Sequence, residues 1–96
     1  MNITYINGVE RSRQYSSFEV PSTEELLGLT PGDFVKVGIE AIDNHKGGER
    51  FWVEVTAIEG STIKGTVSND LVVFKELDFG TPLEFGFDNI LDTEFA

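Results

Sequence analysis

One stretch of the chain predicts a β-hairpin, and this hairpin constrains the fold more than any other feature. Residues 49–55 read Glu-Arg-Phe-Trp-Val-Glu-Val, and residues 62–67 continue the pattern after a Glu-Gly-Ser turn. Such alternation places successive side chains on opposite faces of a sheet. The apolar face carries Phe51, Val53 and Val55, and the other face carries Arg50, Trp52, Glu54 and Thr56.

Four segments in all have the pattern of half-buried strands. They are residues 34–40, 50–58, 62–67 and 83–87. Their inward side chains form the predicted core, which consists of Val35, Val37, Phe51, Val53, Val55, Ile63, Val67, Phe85 and Phe87. Residues 72–74 (Val-Val-Phe) are expected to add a short edge segment.

A short helix is predicted before the first of these strands. Residues 1–20 are expected to be a polar lead-in, and residues 22–28 carry the signals of a helix. Ser22 can cap its N-terminus, Glu25 stands at the capping-box position, and Gly28 can end it.

Turn signals separate the remaining elements. Residues 31–33 (Pro-Gly-Asp) predict a turn that leads directly into the first strand. Residues 43–48 predict a flexible polar loop, and residues 89–92 predict a helical turn near the C-terminus.

Together these elements predict a mainly β protein with a single domain over residues 1–96. Short strands and frequent turns are typical of a small SH3-like antiparallel barrel or a strongly curved sheet, here with one short N-terminal helix. The turn before the first strand also favours the SH3-like barrel. The alternative is an open α+β sheet.

The composition excludes several kinds of catalytic and metal site. The chain has no cysteine, which excludes disulfides, cysteine-based zinc sites and thiolate nucleophiles. His45 is the only histidine, so a catalytic triad and a two-histidine metal site are excluded, and a solvated surface position is expected for it. No glycine-rich phosphate-binding motif occurs.

Carboxylates are the only abundant chemical groups that remain. Asp88 and Asp92 could share one face of the terminal turn and bind Ca²⁺ or act as acid and base, but the calcium-loop motif is missing. We therefore expect no enzymatic activity, no cofactor and no metal. A carboxylate-based hydrolase is a weak alternative.

The charge of the chain is strongly acidic and uneven. There are 17 acidic and seven basic residues, which gives a net charge of −10. From Glu76 to Ala96 the chain contains no Lys or Arg. It contains six acidic residues there, namely Glu76, Asp78, Glu84, Asp88, Asp92 and Glu94. An acidic surface repels phosphate backbones, so no nucleic-acid partner is expected. It either attracts a basic protein partner or keeps the protein in solution.

The N-terminus and the hydropathy of the chain predict a cytoplasmic protein without a membrane partner. Residues 1–5 have neither the basic start nor the apolar run of a signal peptide. No apolar stretch has the length of a membrane span.

Trp52 is the side chain best suited to a binding contact, and two environments are possible for it. An aromatic ring displayed beside Arg50 and Glu54 on a sheet can be a binding hot spot. Alternatively, the lead-in and the helix cover this face and bury the ring, because their apolar side chains need a place to pack. Those side chains are Phe18, Val20, Leu26 and Leu27.

Four motifs also carry a resemblance to a known family. They lie in order at residues 31–37, 49–55, 63–65 and 88–92. The chain resembles a family of small bacterial domains of unknown function, which share a Gly-Asp-x-Val-Lys strand start, a Glu-x-Met/Phe-Trp-Val-x-Val strand and a closing Ile-x-Asp. The family tends to continue with an aromatic residue where this chain has Thr93-Glu94-Phe95. The resemblance implies no activity and no catalytic residue.

Two classes of function follow from the sequence. The first is a non-enzymatic module that binds a protein or peptide partner. The alternative is an acidic protein of the immunity or DNA-mimic type that neutralises a basic partner. The candidate binding residues are Trp52, Arg50, Glu54, Glu84, Asp88 and Asp92.

Overall fold

The computed structural model describes residues 1–96 and contains six strands, two α-helices and one 3₁₀ turn. In chain order the elements are β1 (Ile3–Tyr5), α1 (Gly8–Gln14), α2 (Thr23–Leu27), β2 (Phe34–Ile42), β3 (His45–Glu59), β4 (Thr62–Val67), β5 (Pro82–Gly86), the 3₁₀ turn (Phe87–Asn89) and β6 (Ile90–Glu94). Neither helix has the length and apolar character needed to cross a membrane.

The strands form one antiparallel sheet that curls back toward its own beginning. Strands β1 to β5 are neighbours in chain order, and β6 returns to pair with β2. Along one edge of β2, β1 pairs with residues 39–42 and β6 pairs with residues 34–37. Only the 3₁₀ turn separates β5 from β6, so the two ends of the sheet approach each other. This half-barrel confirms the predicted mainly β fold with a strongly curved sheet.

The core lies inside the curl and is one cluster of 16 buried residues. Every predicted core residue is buried except Phe87, which is half-buried. Phe87 packs against the core but is only partly buried, because β5 ends at Gly86, whose N–H donates to the side chain of Asn89 (2.9 Å) where the chain turns. Six core residues come from segments outside the predicted strands, namely Leu29, Ile42, Leu71, Phe74, Leu77 and Ile90.

The link between β2 and β3 is a tight turn rather than the predicted flexible loop. The turn consists of Asp43 and Asn44, and Asp43 has a positive φ of 50°. His45 and Lys46 already pair with Ile42 and Ala41. Aspartate and asparagine tolerate this backbone conformation, which allows a two-residue hairpin turn.

The N-terminal region contains the predicted helix and more structure besides. The N–H of Glu25 donates to the hydroxyl of Ser22 (3.2 Å), which confirms the cap of α2. The predicted polar lead-in contains β1 and α1, neither of which is predicted from the sequence. The N–H of Glu10 donates to the side chain of Asn7 (3.0 Å), so Asn7 caps α1 as Ser22 caps α2.

Residues 72–74 do not form the predicted edge segment, because their N–H groups bind a carboxylate. Val72, Val73 and Phe74 donate to Glu49 at 2.6, 2.8 and 3.0 Å. Partial burial favours a higher pKa for Glu49, but the three N–H donors outweigh it and hold the pKa below its ordinary value. These three hydrogen bonds to Glu49 thus hold the β4–β5 connection against β3.

Residues 89–92 do not form the predicted helical turn. The 3₁₀ turn ends at Asn89, and residues 90–94 are extended as β6. Pairing with β2 provides the backbone hydrogen bonds that a helix would otherwise supply.

Candidate protein-binding face

The outer surface of β6, β2 and β3 brings Trp52 together with aromatic and charged side chains. Residues directly opposite each other in an antiparallel sheet share a face. In one row Asp92 lies opposite Lys36, and Lys36 lies opposite Trp52. We call this surface the Trp52 face, and it consists of Phe34, Lys36, Arg50, Trp52, Glu54, Asp92 and Glu94.

The position of Trp52 is fixed through its backbone and its ring. Its N–H donates to the side chain of Asn69 (2.6 Å), and its carbonyl accepts from the N–H of Ser68 (2.9 Å). The Nζ of Lys36 lies 5.4 Å from the centre of the indole. The ring is half-buried, so part of it remains available to another molecule.

A small pocket opens beside the indole. It has a volume of about 250 Å³ and is lined by Phe34, Trp52, Ser68, Asn69 and Glu94. Two aromatic rings and a carboxylate are the groups that attract a cation, through the quadrupole of the rings and the negative charge. The pocket therefore has the chemistry to take a basic side chain.

The N-terminal region covers the row next to Trp52. Gly38 and Arg50 are opposite each other in this row. The side chain of Ile6 packs where Gly38 lacks a Cβ, and the ring of Phe18 lies 5.3 Å from the Arg50 guanidinium.

The two leucines of helix α2 do not cover Trp52. Leu26 packs against the inner core, and Leu27 is 78% exposed. The lead-in thus shields the neighbour of Trp52, and the half-buried ring lies between the two environments that the sequence left open.

An acidic pocket adjoins the Trp52 face. It has a volume of about 270 Å³ and is lined by Glu19, Val20, Pro21, Glu25, Leu91 and Asp92. The hydroxyl of Thr93 donates to Glu25 (3.0 Å), which ties α2 to β6. Glu19, Glu25 and Asp92 form no ion pair. Because Asp92 belongs to both surfaces, the acidic pocket and the Trp52 face are continuous.

The remaining candidate residues lie on other parts of the molecule. Glu84 on β5 is opposite Lys64 and 3.7 Å from its Nζ. Asp88 lies in the 3₁₀ turn and lines a different pocket with Asn7 and Ser61. The structure therefore brings together Trp52, Arg50, Glu54 and Asp92 of the predicted set, whereas Glu84 and Asp88 are separate from them.

Sequence reasoning missed several residues of these surfaces. The alternation in β2 could have assigned Phe34 and Lys36 to the outer face, since their neighbours Val35 and Val37 point inward. Glu94 could not be assigned to this face from the sequence, because β6 was not predicted. No group of three Asp, Glu or His side chains has an arrangement that could hold a metal ion.

The fluorescence of Trp52 tests its half-buried position. We expect acrylamide to quench the wild-type protein partially, and Lys36→Ala to raise the quenching constant, because this change uncovers the indole. Lys46→Ala, next to the β2–β3 turn, should leave quenching unchanged. Trp52 is the only tryptophan, so the signal has one source. Quenching equal to that of free tryptophan in the wild type would contradict the structure.

Comparisons with known proteins give no relative. No family model, no curated protein and no solved structure matches the chain. The resemblance to small bacterial domains stays a prediction, and the function is argued from the surfaces alone.

Proposed function

We propose that this protein is a non-enzymatic, cytoplasmic binding module that takes a basic segment of a protein partner on the Trp52 face and the acidic pocket. The observation that carries the proposal is the position of Asp92. Asp92 lines the acidic pocket, and it lies in the same row of the sheet as Lys36 and Trp52, whose indole lines the aromatic pocket. A segment with two or three basic side chains could occupy both pockets at once.

The contact between Lys36 and Trp52 supports the choice of a basic ligand. The ammonium group of Lys36 already lies 5.4 Å from the indole centre. In a contact of this kind the quadrupole of the ring attracts the cation. An arginine or lysine of the partner can use the same property of the ring or of Phe34 beside it.

The excess of acidic groups supports the proposal from a second direction. Three of the 17 acidic side chains form ion pairs with Lys or Arg, namely Glu40, Glu59 and Glu84, and Glu76 lies 3.5 Å from Nδ1 of His45. The acidic residues of the Trp52 face and the acidic pocket are outside this group. Their charge is therefore available to a partner, and it should speed association in a manner that salt suppresses.

A pair of charge-reversed variants tests the proposal. In the site variant Glu19, Asp92 and Glu94 are changed to Lys, and in the control variant Asp70, Asp78 and Asp88 are changed to Lys. All six residues are exposed, and both variants have the same net charge. Wild type and variants are immobilised, and the proteins captured from a lysate are quantified by mass spectrometry.

We expect a partner that the wild type and the control variant retain and the site variant loses by at least about tenfold, or 1.4 kcal/mol. Trp52→Ala should weaken the same partner. Exposed charges contribute little to stability, so both charge variants should remain folded. Capture of the same partner by the site variant as strongly as by wild type would refute the proposal.

The alternative is an acidic protein that neutralises a basic partner over a wide surface. It is favoured by the spread of exposed acids over α1, β3 and the β4–β5 connection as well as β6. In that case the two charge variants should lose the same basic proteins to the same extent, because only the net charge matters.

A further inference from the structure

The two ends of the sheet leave a groove with free strand edges on both sides. β1 pairs with β2 alone, and β5 pairs with β4 alone. The groove between them has a volume of about 360 Å³. Its lining is Met1, Ile3, Tyr5, Leu77, Thr81, Pro82, Leu83 and Glu84.

One end of this groove is closed by side chains. The rings of Tyr5 and Phe85 are 5.8 Å apart. Asn89 accepts from the N–H of Gly86 (2.9 Å) and donates to the carbonyl of Ile6 (3.2 Å), which links the end of β5 to the end of β1. Beyond this closure the edges of β1 and β5 have no strand between them.

The hydrogen bond at Gly86 shows which backbone groups of β5 face the groove. The N–H of Gly86 points away from β4, because it donates to Asn89. Every second residue of an antiparallel strand turns its N–H and C=O to the same side, and the pairing of β5 with β4 has no irregularity. The N–H and C=O of Glu84 and the C=O of Pro82 therefore point toward the groove.

The opposite side of the groove is formed by β1, which also presents backbone N–H and C=O groups. The carbonyl of Asn2 accepts from Asp43, and the N–H of Ile6 donates to Gly38, so both face β2. Ile3, which follows Asn2 and precedes the irregularity between Thr4 and Tyr5, turns its N–H and C=O away from β2. An extended chain in the groove would find hydrogen-bonding groups on either side.

We propose that this groove binds an extended segment of a partner protein, which adds to β5 as a further strand. Main-chain hydrogen bonds to Glu84 and Pro82 supply affinity, and alternate apolar side chains enter the space lined by Ile3, Leu77 and Leu83. This site is distinct from the Trp52 face, and the proposal does not rest on the function proposed there.

Charge argues for a basic peptide and against a second copy of the chain. The residues that line the groove include Glu84 and no Lys or Arg. The single ammonium group of Lys64 is shared between Glu59 (2.7 Å) and Glu84 (3.7 Å), so it neutralises the charge of Glu84 only in part. Two copies with a net charge of −10 each would repel one another. A peptide in which basic residues alternate with apolar ones therefore fits the groove better than a second copy of the chain does.

A synthetic peptide provides the probe. It is a capped nonapeptide of alternating valine and lysine, titrated into the ¹⁵N-labelled protein. We expect chemical-shift changes around Glu84 and Ile3, and at least tenfold slower hydrogen exchange of the Glu84 N–H in the complex. The same peptide with N-methyl groups on alternate residues cannot donate those hydrogen bonds. It should bind at least tenfold more weakly.

Two substitutions of Glu84 distinguish the contribution of its backbone N–H from that of its carboxylate. Glu84→Pro removes the N–H that faces the groove and leaves the pairing with β4, as an edge strand permits. Glu84→Gln keeps the N–H and removes the charge. Glu84→Pro should weaken the peptide at least tenfold, and Glu84→Gln only a few-fold. If Glu84→Pro does not fold, the N-methylated peptide decides.

The opposite results would overturn the strand-addition proposal. These are no binding of the peptide at millimolar concentration, equal binding of its N-methylated form, equal binding by folded Glu84→Pro, or pairing of β5 with a second copy. Shift changes confined to the Trp52 face would also overturn it, while supporting the function proposed for that face. The two proposals can therefore fail separately.

Discussion

Phe74→Ala should lower the free energy of unfolding by about 3–5 kcal/mol, because it leaves a cavity in the core. Phe74 is 0% exposed, although it lies in a connection without strands. Its ring packs 4.8 Å from that of His45. The matched control is Phe79→Ala in the same connection, where the ring is 68% exposed and the cost should stay within about 0.5 kcal/mol.

Urea denaturation of the two variants measures this difference. The midpoint should fall clearly for Phe74→Ala and hardly move for Phe79→Ala. An equal loss in both variants would mean that residues 68–81 pack against the domain in another way. A small loss in both would mean that the connection does not contribute to the core.

The sequence could not predict this role of Phe74, because the contacts that fix the connection are distant along the chain. Glu49 binds the N–H groups of residues 72–74 from 23 to 25 positions away. Val72, Val73 and Phe74 have high strand propensity, so a local pattern favours a strand. In the structure, a single carboxylate takes up the N–H groups that a strand would need.

The central strands, in contrast, could be predicted from local pattern alone. In β3, in β4 and in the first half of β2 the inner face is more buried than the outer face, so these segments alternate and show their register in the sequence. β6 does not alternate, although it is as long as β5. Ile90 and Leu91 are both buried, with an irregularity in the pairing to β2 near them. Two adjacent buried residues do not give the alternation of a strand.

The residues of the candidate site were likewise predictable from local pattern only in part. Alternation in β3 correctly placed Arg50, Trp52 and Glu54 on one face. The acidic end of the chain suggested that Glu84, Asp88 and Asp92 act together, but charge along a chain does not show which strands are neighbours. The return of β6 to β2 brings Asp92 to the Trp52 face, whereas β5 lies at the far end of the sheet.

Gly65→Ala should lower the free energy of unfolding by about 1–3 kcal/mol through overpacking. A Cβ at this position would lie 2.5 Å from Cγ1 of Val53 and 2.6 Å from the carbonyl oxygen of Glu54. The Val53 side chain is fully buried, and the oxygen belongs to the backbone of β3 beside β4. Neither atom can move without disturbing the core or the pairing of these strands.

Gly48→Ala is the matched control, because a Cβ there meets no atom within 4 Å. Alanine is better suited than glycine to a strand by roughly 0.5–1 kcal/mol, so this variant should be as stable as wild type or slightly more stable. The packing at Gly65 therefore has to outweigh a propensity that favours alanine. In a domain of this size a loss of 1 kcal/mol lowers the melting temperature by about 4–8 °C. Equal melting temperatures for the two variants would show that β3 and β4 do not approach each other as closely at Gly65 as the structure places them.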